Sequence, residues 1–206
     1  MSDELRTHWE RVYQGAPPTA ASWYEPIPAI SLELIRKSGV GQDAPILDVG
    51  GGASTLVDHL LATGFRDVTV LDVADAALAA AKARIGHASA EVHWVVSDVA
   101  AFRPARRYAL WHDRAVFHFH VDPQRRDQYL TVLRSTLAPG GHVIVATFGP
   151  QGPTRCSGLD VQRYSERELS AVLGPGFRLV EARLEDHATP AGGRQQFLYG
   201  CWKSGG

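Results

Sequence analysis

Short apolar, β-branched runs alternate along the chain with longer segments whose apolar positions recur at helical spacing. Ile46-Leu47-Asp48-Val49 leads into a helical pattern over 55–63. Val68-Thr69-Val70-Leu71-Asp72 leads into 75–85, within an alanine-rich stretch of high helix propensity. Val92-His93-Trp94-Val95-Val96 reads as a third strand and Tyr108-Ala109-Leu110-Trp111 as a fourth. An irregular stretch then precedes a helix over 123–138, with Asp122 as its cap and Pro123 in its first turn. Val143-Ile144-Val145-Ala146, after the Pro139-Gly140-Gly141 turn, is a fifth strand. Buried strands that alternate with helices in this way predict a parallel α/β sheet.

The C-terminal third changes pattern. Ser165 and Glu168 have the spacing of a capping box for a short helix over 165–173. Segments 177–185 and 196–202 are strand-like, with Pro190-Ala191-Gly192-Gly193 and no crossover helix between them, which predicts antiparallel pairing. Two further helices, over 4–13 and 28–37, precede the first strand and flank a Pro/Ala-rich loop at 15–22. The expected fold is an α/β, mostly parallel seven-stranded sheet with helices on both faces, closing in an antiparallel hairpin. One domain over 1–206 is expected, with 1–43 as a helical lid and 44–206 as the core.

Composition narrows the partners. With 21 Lys+Arg against 22 Asp+Glu, a formal charge of −1, bulk electrostatics hold this chain to neither nucleic acid nor a membrane surface. Only Cys156 and Cys201 are available, too few for a disulfide framework. No run reaches the ~18 apolar residues of a membrane span. Met1-Ser2-Asp3-Glu4 lacks the basic-then-apolar pattern of a signal peptide. A cytoplasmic protein is expected, as a monomer or weak dimer.

The sharpest chemical signal is Asp48-Val49-Gly50-Gly51-Gly52-Ala53-Ser54, at a strand end and just before a helix. Glycines there let the backbone turn tightly and approach a ligand, in the crevice beyond the carboxyl ends of the strands. Asp72 ends the second strand, twenty positions past Gly52, where a carboxylate accepts both ribose hydroxyls of an adenosine. Asp98 follows the third strand. Helix capping accounts for any one of these acids but poorly for all three at one rim. A pyrophosphate loop would carry a glycine where Thr55 stands, and an acid at Asp48 repels phosphate. A positively charged adenosine ligand fits better than a dinucleotide.

These residues resemble the class I, seven-β-strand, Rossmann-like methyltransferases that use S-adenosylmethionine (SAM) and release S-adenosylhomocysteine. Asp48–Gly52 matches that family's first motif, Asp72 and Asp98 its acids after the second and third strands, and Leu137-Ala138-Pro139-Gly140-Gly141 its turn before the fifth. Ser54 departs from the pattern, where many members have a third glycine. The resemblance implies that Asp48, Gly50 and Gly52 bind the cofactor, with Gly50 against its methionine part, Asp72 on the ribose and Asp98 at the adenine amino group. Val73 and Val99 would flank the ring. Trp9, Tyr13 and Trp23 are spaced as in the N-terminal segment of the eukaryotic elongation-factor lysine methyltransferases, which implies an aromatic lid touching SAM.

Methyl transfer chiefly requires alignment and exclusion of water. The acceptor is expected near Trp111-His112-Asp113-Arg114-Ala115-Val116-Phe117-His118-Phe119-His120, with His112 and Asp113 as proton acceptors and Arg114 on the cofactor side. Asp113-Arg114-Ala115 replaces the acid-Lys-Gly of the lysine enzymes, which weighs against a lysine acceptor. No metal site is expected from His112, Asp113, His118 and His120, because their spacing is short and irregular. Cys156 and His187 are further candidates near the acceptor, although a lone cysteine is more often incidental. The expected function is a SAM-dependent methyltransferase with a small nucleophile or a protein side chain as acceptor. The alternatives are a protein-lysine methyltransferase and a non-catalytic SAM- or NAD-binding module.

Overall fold

The computed structural model describes residues 2–205. Its elements run α1 (Ser2–Gly15), α2 (Ala29–Ser38), β1 (Ile46–Val49), α3 (Leu56–Ala62), β2 (Val68–Asp72), α4 (Asp75–Ile85), β3 (Val92–Val96) and β4 (Tyr108–Arg114). There follow α5 (Pro123–Thr136), β5 (Leu137–Phe148), α6 (Glu166–Leu173), β6 (Phe177–Ala188) and β7 (Arg194–Ser204). The seven strands form one sheet in the order β3-β2-β1-β4-β5-β7-β6. Strands β1 to β5 are mutually parallel, and β7 runs antiparallel to both β5 and β6. This is the mostly parallel, Rossmann-like sheet with a closing hairpin that the sequence predicts.

Strand periodicity divides the core between the two faces of the sheet. Ile46, Val68, Val70, Leu110 and Ile144 pack with Leu34 and Ile35 of α2 and with Leu56, Val57 and Leu60 of α3. Leu47, Leu71, Trp111, Val143 and Val145 pack with Tyr129 and Leu133 of α5 and with Leu169 and Leu173 of α6. Successive side chains on a strand point to opposite faces, so each strand contributes to both halves. The order reverses between β1 and β4, and that reversal opens a crevice at their carboxyl ends, where open α/β sheets bind ligands.

The caps work as their sequences indicate. The Asp122 carboxylate accepts from the Arg125 amide at 2.9 Å, and Ser165 and Glu168 form the reciprocal capping box. Several boundaries shift: β4 runs on to Arg114, the hairpin strands are longer than expected, and α5 gives way to β5 two residues early. β5 begins at Leu137, and the Pro139-Gly140-Gly141 segment lies within it as an irregularity in the pairing with β4. Gly140 adopts φ +71°, a conformation that lets the chain bulge while pairing resumes on either side. The segment between β5 and α6 also holds a small hairpin, Arg155–Cys156 against Leu159–Asp160. Among the described residues, no helix is long and apolar enough to cross a membrane.

Candidate functional site

The carboxyl ends of β1, β2, β3 and β4 open into a cleft. Asp48, Asp72 and Asp98 all line it, so the three acids share one rim. Gly50 stands at its base with φ +67°, and a Cβ there would run into the Val116 side chain. That position therefore requires glycine both for its conformation and for its close neighbour. Gly52 is placed differently. It does not line the cleft; its amide donates to Asp72 Oδ2 at 3.1 Å, and a Cβ would press on Ala77 at 2.6 Å. It lets the loop lie close against the end of β2 and the first turn of α4.

Each acid has a distinct environment. Asp48 is opposite His112 in the β1–β4 register, and His112 Nδ1 lies 2.7 Å from Asp48 Oδ1. Asp48 Oδ2 is buried and has no partner among the described residues. A buried carboxylate oxygen left without a donor is costly, and a ligand ammonium in the cleft would satisfy it. Asp72 accepts from the amides of Ala74 and Gly52, yet burial pushes its carboxyl up to about 6. Asp98 accepts from the Ala100 amide at 2.9 Å and is ion-paired with Arg125 at 2.7 Å. Val73 and Val99 both line the cleft beside these acids.

The two expected proton acceptors are separated by the pleat. His112 and Asp113 are consecutive on β4 and so face opposite sides of the sheet. His112 lines the cleft, but its second nitrogen lies 2.9 Å from Ser31 Oγ on α2, so both ring nitrogens are engaged inside the protein. Asp113 is absent from the cleft lining and fully buried on the α5 side. Its Oδ1 accepts from the amides of Val116 and Phe117 and its Oδ2 from the Tyr129 hydroxyl at 2.6 Å. Burial pushes Asp113 up to about 6, and its visible work is to clamp the turn that follows β4. Ala115 in that turn is a non-glycine residue at φ +68°.

The N-terminal segment closes the cleft. Trp9, Tyr13 and Trp23 all line it, and the Trp9 ring also meets Phe119 edge-on at 5.2 Å between centroids. Trp9 and Tyr13 pack on Ala53, Ala74 and Ala77, and the neighbouring Glu10 caps α4 by accepting from the Asp75 and Ala76 amides at 2.6 and 3.2 Å. Arg114 lines the cleft, but its guanidinium is committed to the strap over 22–28. It donates to the Trp23 carbonyl and the Tyr199 hydroxyl, each at 2.7 Å, and pairs with Glu25 at 3.0 Å. His187 lies outside the lining and holds the same strap, with Nε2 at 2.9 Å from the Ser22 carbonyl. Cys156 does line the cleft; burial pushes its thiol up.

Sequence reasoning did not single out Glu10, Ser31 or Arg125 for the site. Each acts through a contact with a segment distant in the chain, which no local pattern announces. Among the described residues, no group of three or more His, Cys, Asp or Glu side chains is arranged to hold a metal ion.

Comparison with known proteins follows the same outline. Residues 46–141 match the model of a family described as a methyltransferase domain. Malonyl-[acyl-carrier protein] O-methyltransferase 1 of Ilyobacter polytropus is 28% identical over 148 residues, 66% of this chain and 54% of that protein. The chain thus spans about half the length of the curated relative it matches. Among solved structures, 1,6-didemethyltoxoflavin-N1-methyltransferase of Burkholderia thailandensis, with its namesake ligand and S-adenosylhomocysteine bound, superposes with a TM-score of 0.71. It is 21% identical, covering 99% of this chain and 85% of that one. The N-methyltransferase NodS of Bradyrhizobium japonicum, in complex with S-adenosylhomocysteine, gives 0.70 at 20% identity, covering 94% and 98%. At these identities the likeness is one of fold.

Proposed function

We propose that this chain is a SAM-dependent methyltransferase acting on a small molecule. The observation that carries the reading is the rim of three acids around the glycine turn, with Asp48 Oδ2 buried and without a partner among the described residues. The methyltransferase-domain match over 46–141 and the names of the relatives support it. In this reading Asp48 Oδ2 takes the ammonium of the cofactor, Asp72 the ribose hydroxyls, and Val73 and Val99 enclose the adenine. Trp9, Tyr13 and Trp23 keep water out. The cofactor supplies an activated methyl group on a sulfonium.

The chain's own part is alignment and dryness. His112 has both nitrogens engaged and Asp113 faces the other side of the sheet, so neither is free to take a proton from an acceptor. The acceptor is therefore one whose lone pair is already available, such as an unprotonated amine, an aza-heterocycle or a thiolate. Among the described residues Arg114 is the only arginine or lysine lining the cleft, and it is ion-paired with Glu25. Among the described residues a carboxylate acceptor would find no unpaired Arg or Lys there.

A second reading, a protein-lysine methyltransferase resembling the elongation-factor enzymes in its N-terminal segment, draws on the aromatic lid of Trp9, Tyr13 and Trp23. Balanced charge and two free thiols support a cytoplasmic setting. The test is calorimetric titration with SAM, S-adenosylhomocysteine and NAD, followed by transfer of labelled methyl from SAM to a panel of amines, heterocycles, thiols and a protein extract. Binding of the first two ligands with label in the small-molecule fraction is the expected result. NAD binding alone would refute the cofactor, and label confined to protein would favour the second reading.

A further inference from the structure

His120 lies in the corner of the cleft lined by Asp98 and Val99, where the turn after β4 meets the start of α5. It is only 4% exposed, and its ring is held against Phe117 and Tyr129 at 6.4 and 5.1 Å between centroids. Among the described residues its Nε2 is wholly buried and has no hydrogen-bond partner. An imidazole nitrogen buried without a partner is unusual, because it forfeits the water it had in the unfolded chain. A cleft-lining group in that state points to a ligand that completes it.

The neighbouring acid sharpens the assignment. Asp98, expected to meet the adenine amino group, already accepts one bond at each oxygen, and one of them comes from the Arg125 guanidinium. Its charge is therefore largely compensated by Arg125, and His120, with no hydrogen bond at its buried Nε2, is a second acceptor in that corner. Resting on the cofactor reading above, we propose that His120 reads the adenine base, one ring nitrogen accepting from the exocyclic amino group. Burial, with the Arg125 guanidinium nearby, pushes His120 down to about 4. It therefore keeps a free lone pair at neutral pH, yet is too weak a base to suit it to deprotonating an acceptor.

The test compares two ligands, S-adenosylhomocysteine and S-inosylhomocysteine, which carries an oxygen in place of the amino group. Dissociation constants are measured by calorimetry for the wild type, His120→Phe and His120→Asn. The wild type is expected to prefer the adenosyl ligand by about tenfold or more, the order of one buried hydrogen bond. His120→Phe should lose most of that preference, with affinity for the inosyl ligand little changed. His120→Asn, which keeps a polar acceptor, should recover part of it, and it carries the test if the phenylalanine variant does not fold. Unchanged discrimination in a folded variant would overturn the proposal while leaving the cofactor reading intact, as would lost turnover with discrimination preserved. A wild type that binds neither ligand would overturn both.

Discussion

Lowering the pH should loosen the cofactor through one carboxylate, Asp72. Ribose hydroxyls donate to an ionised carboxylate, whereas a protonated one offers fewer acceptor sites and adds a donor of its own. Burial pushes Asp72 up to about 6, despite the Ala74 and Gly52 amides that favour its charge. If only the ionised form binds well, affinity for S-adenosylhomocysteine at pH 5 should be about tenfold below that at pH 7.5. Calorimetry across this range should show the fall, with proton release on binding near pH 6. Asp72→Asn should bind about tenfold more weakly at pH 7.5 and show a flat profile. Asp113→Asn should keep the wild-type slope, because Asp113 titrates near the same pH but faces away from the cleft. The unliganded fold carries the opposite sign. A carboxyl raised from its unfolded value favours the folded state below about pH 4. That contribution is lost as pH rises through about 6, so Asp72 and Asp113 make the apo protein less stable over the window in which binding strengthens. A flat wild-type binding profile from pH 5 to 7.5, or an Asp72→Asn variant with the wild-type slope, would refute the assignment of the ribose to Asp72.

Other perturbations separate the parts of the site. Asp113→Ala strands the Val116 and Phe117 amides and the Tyr129 hydroxyl in a buried place. It should lower stability by about 2–4 kcal/mol in denaturant unfolding; a loss of turnover with unchanged stability would return Asp113 to the chemistry. Glu10→Ala removes the cap that α1 places on α4 and should cost about 1 kcal/mol. It should also speed release of S-adenosylhomocysteine several-fold in stopped-flow, and an unchanged off-rate would separate the cap from the lid. Gly50→Ala should abolish detectable binding through its collision with Val116. Adding Val116→Ala should recover binding only in part, since about 1 kcal/mol of backbone strain at positive φ remains; full recovery would show that the conformation was irrelevant.

The alternation of strand and helix, the caps at Asp122 and Ser165, and the closing hairpin were legible because each follows from local pattern. So were Asp48, Asp72 and Asp98 as a set, because the carboxyl ends of parallel strands must meet at one rim. Sequence proximity misled at His112 and Asp113: adjacent in the chain, they lie on opposite faces of β4, a consequence of the pleat that becomes visible once the strand runs to Arg114. The irregular stretch after Trp111 concealed that length.

By itself, then, the sequence determined the alternation of strands and helices, the closing hairpin and the acids at the rim, since hydrophobic period and glycine placement are properties of neighbours in the chain. The strand order and its reversal between β1 and β4 came only with the fold. Only the tertiary structure decided how each polar group is occupied. Arg114 is consumed by Glu25, Tyr199 and the Trp23 carbonyl, Asp98 by Arg125, and His112 by Asp48 and Ser31. Those pairings join residues up to 91 positions apart. A side chain's hydrogen-bonding capacity is finite, and its free share depends on what the fold brings beside it.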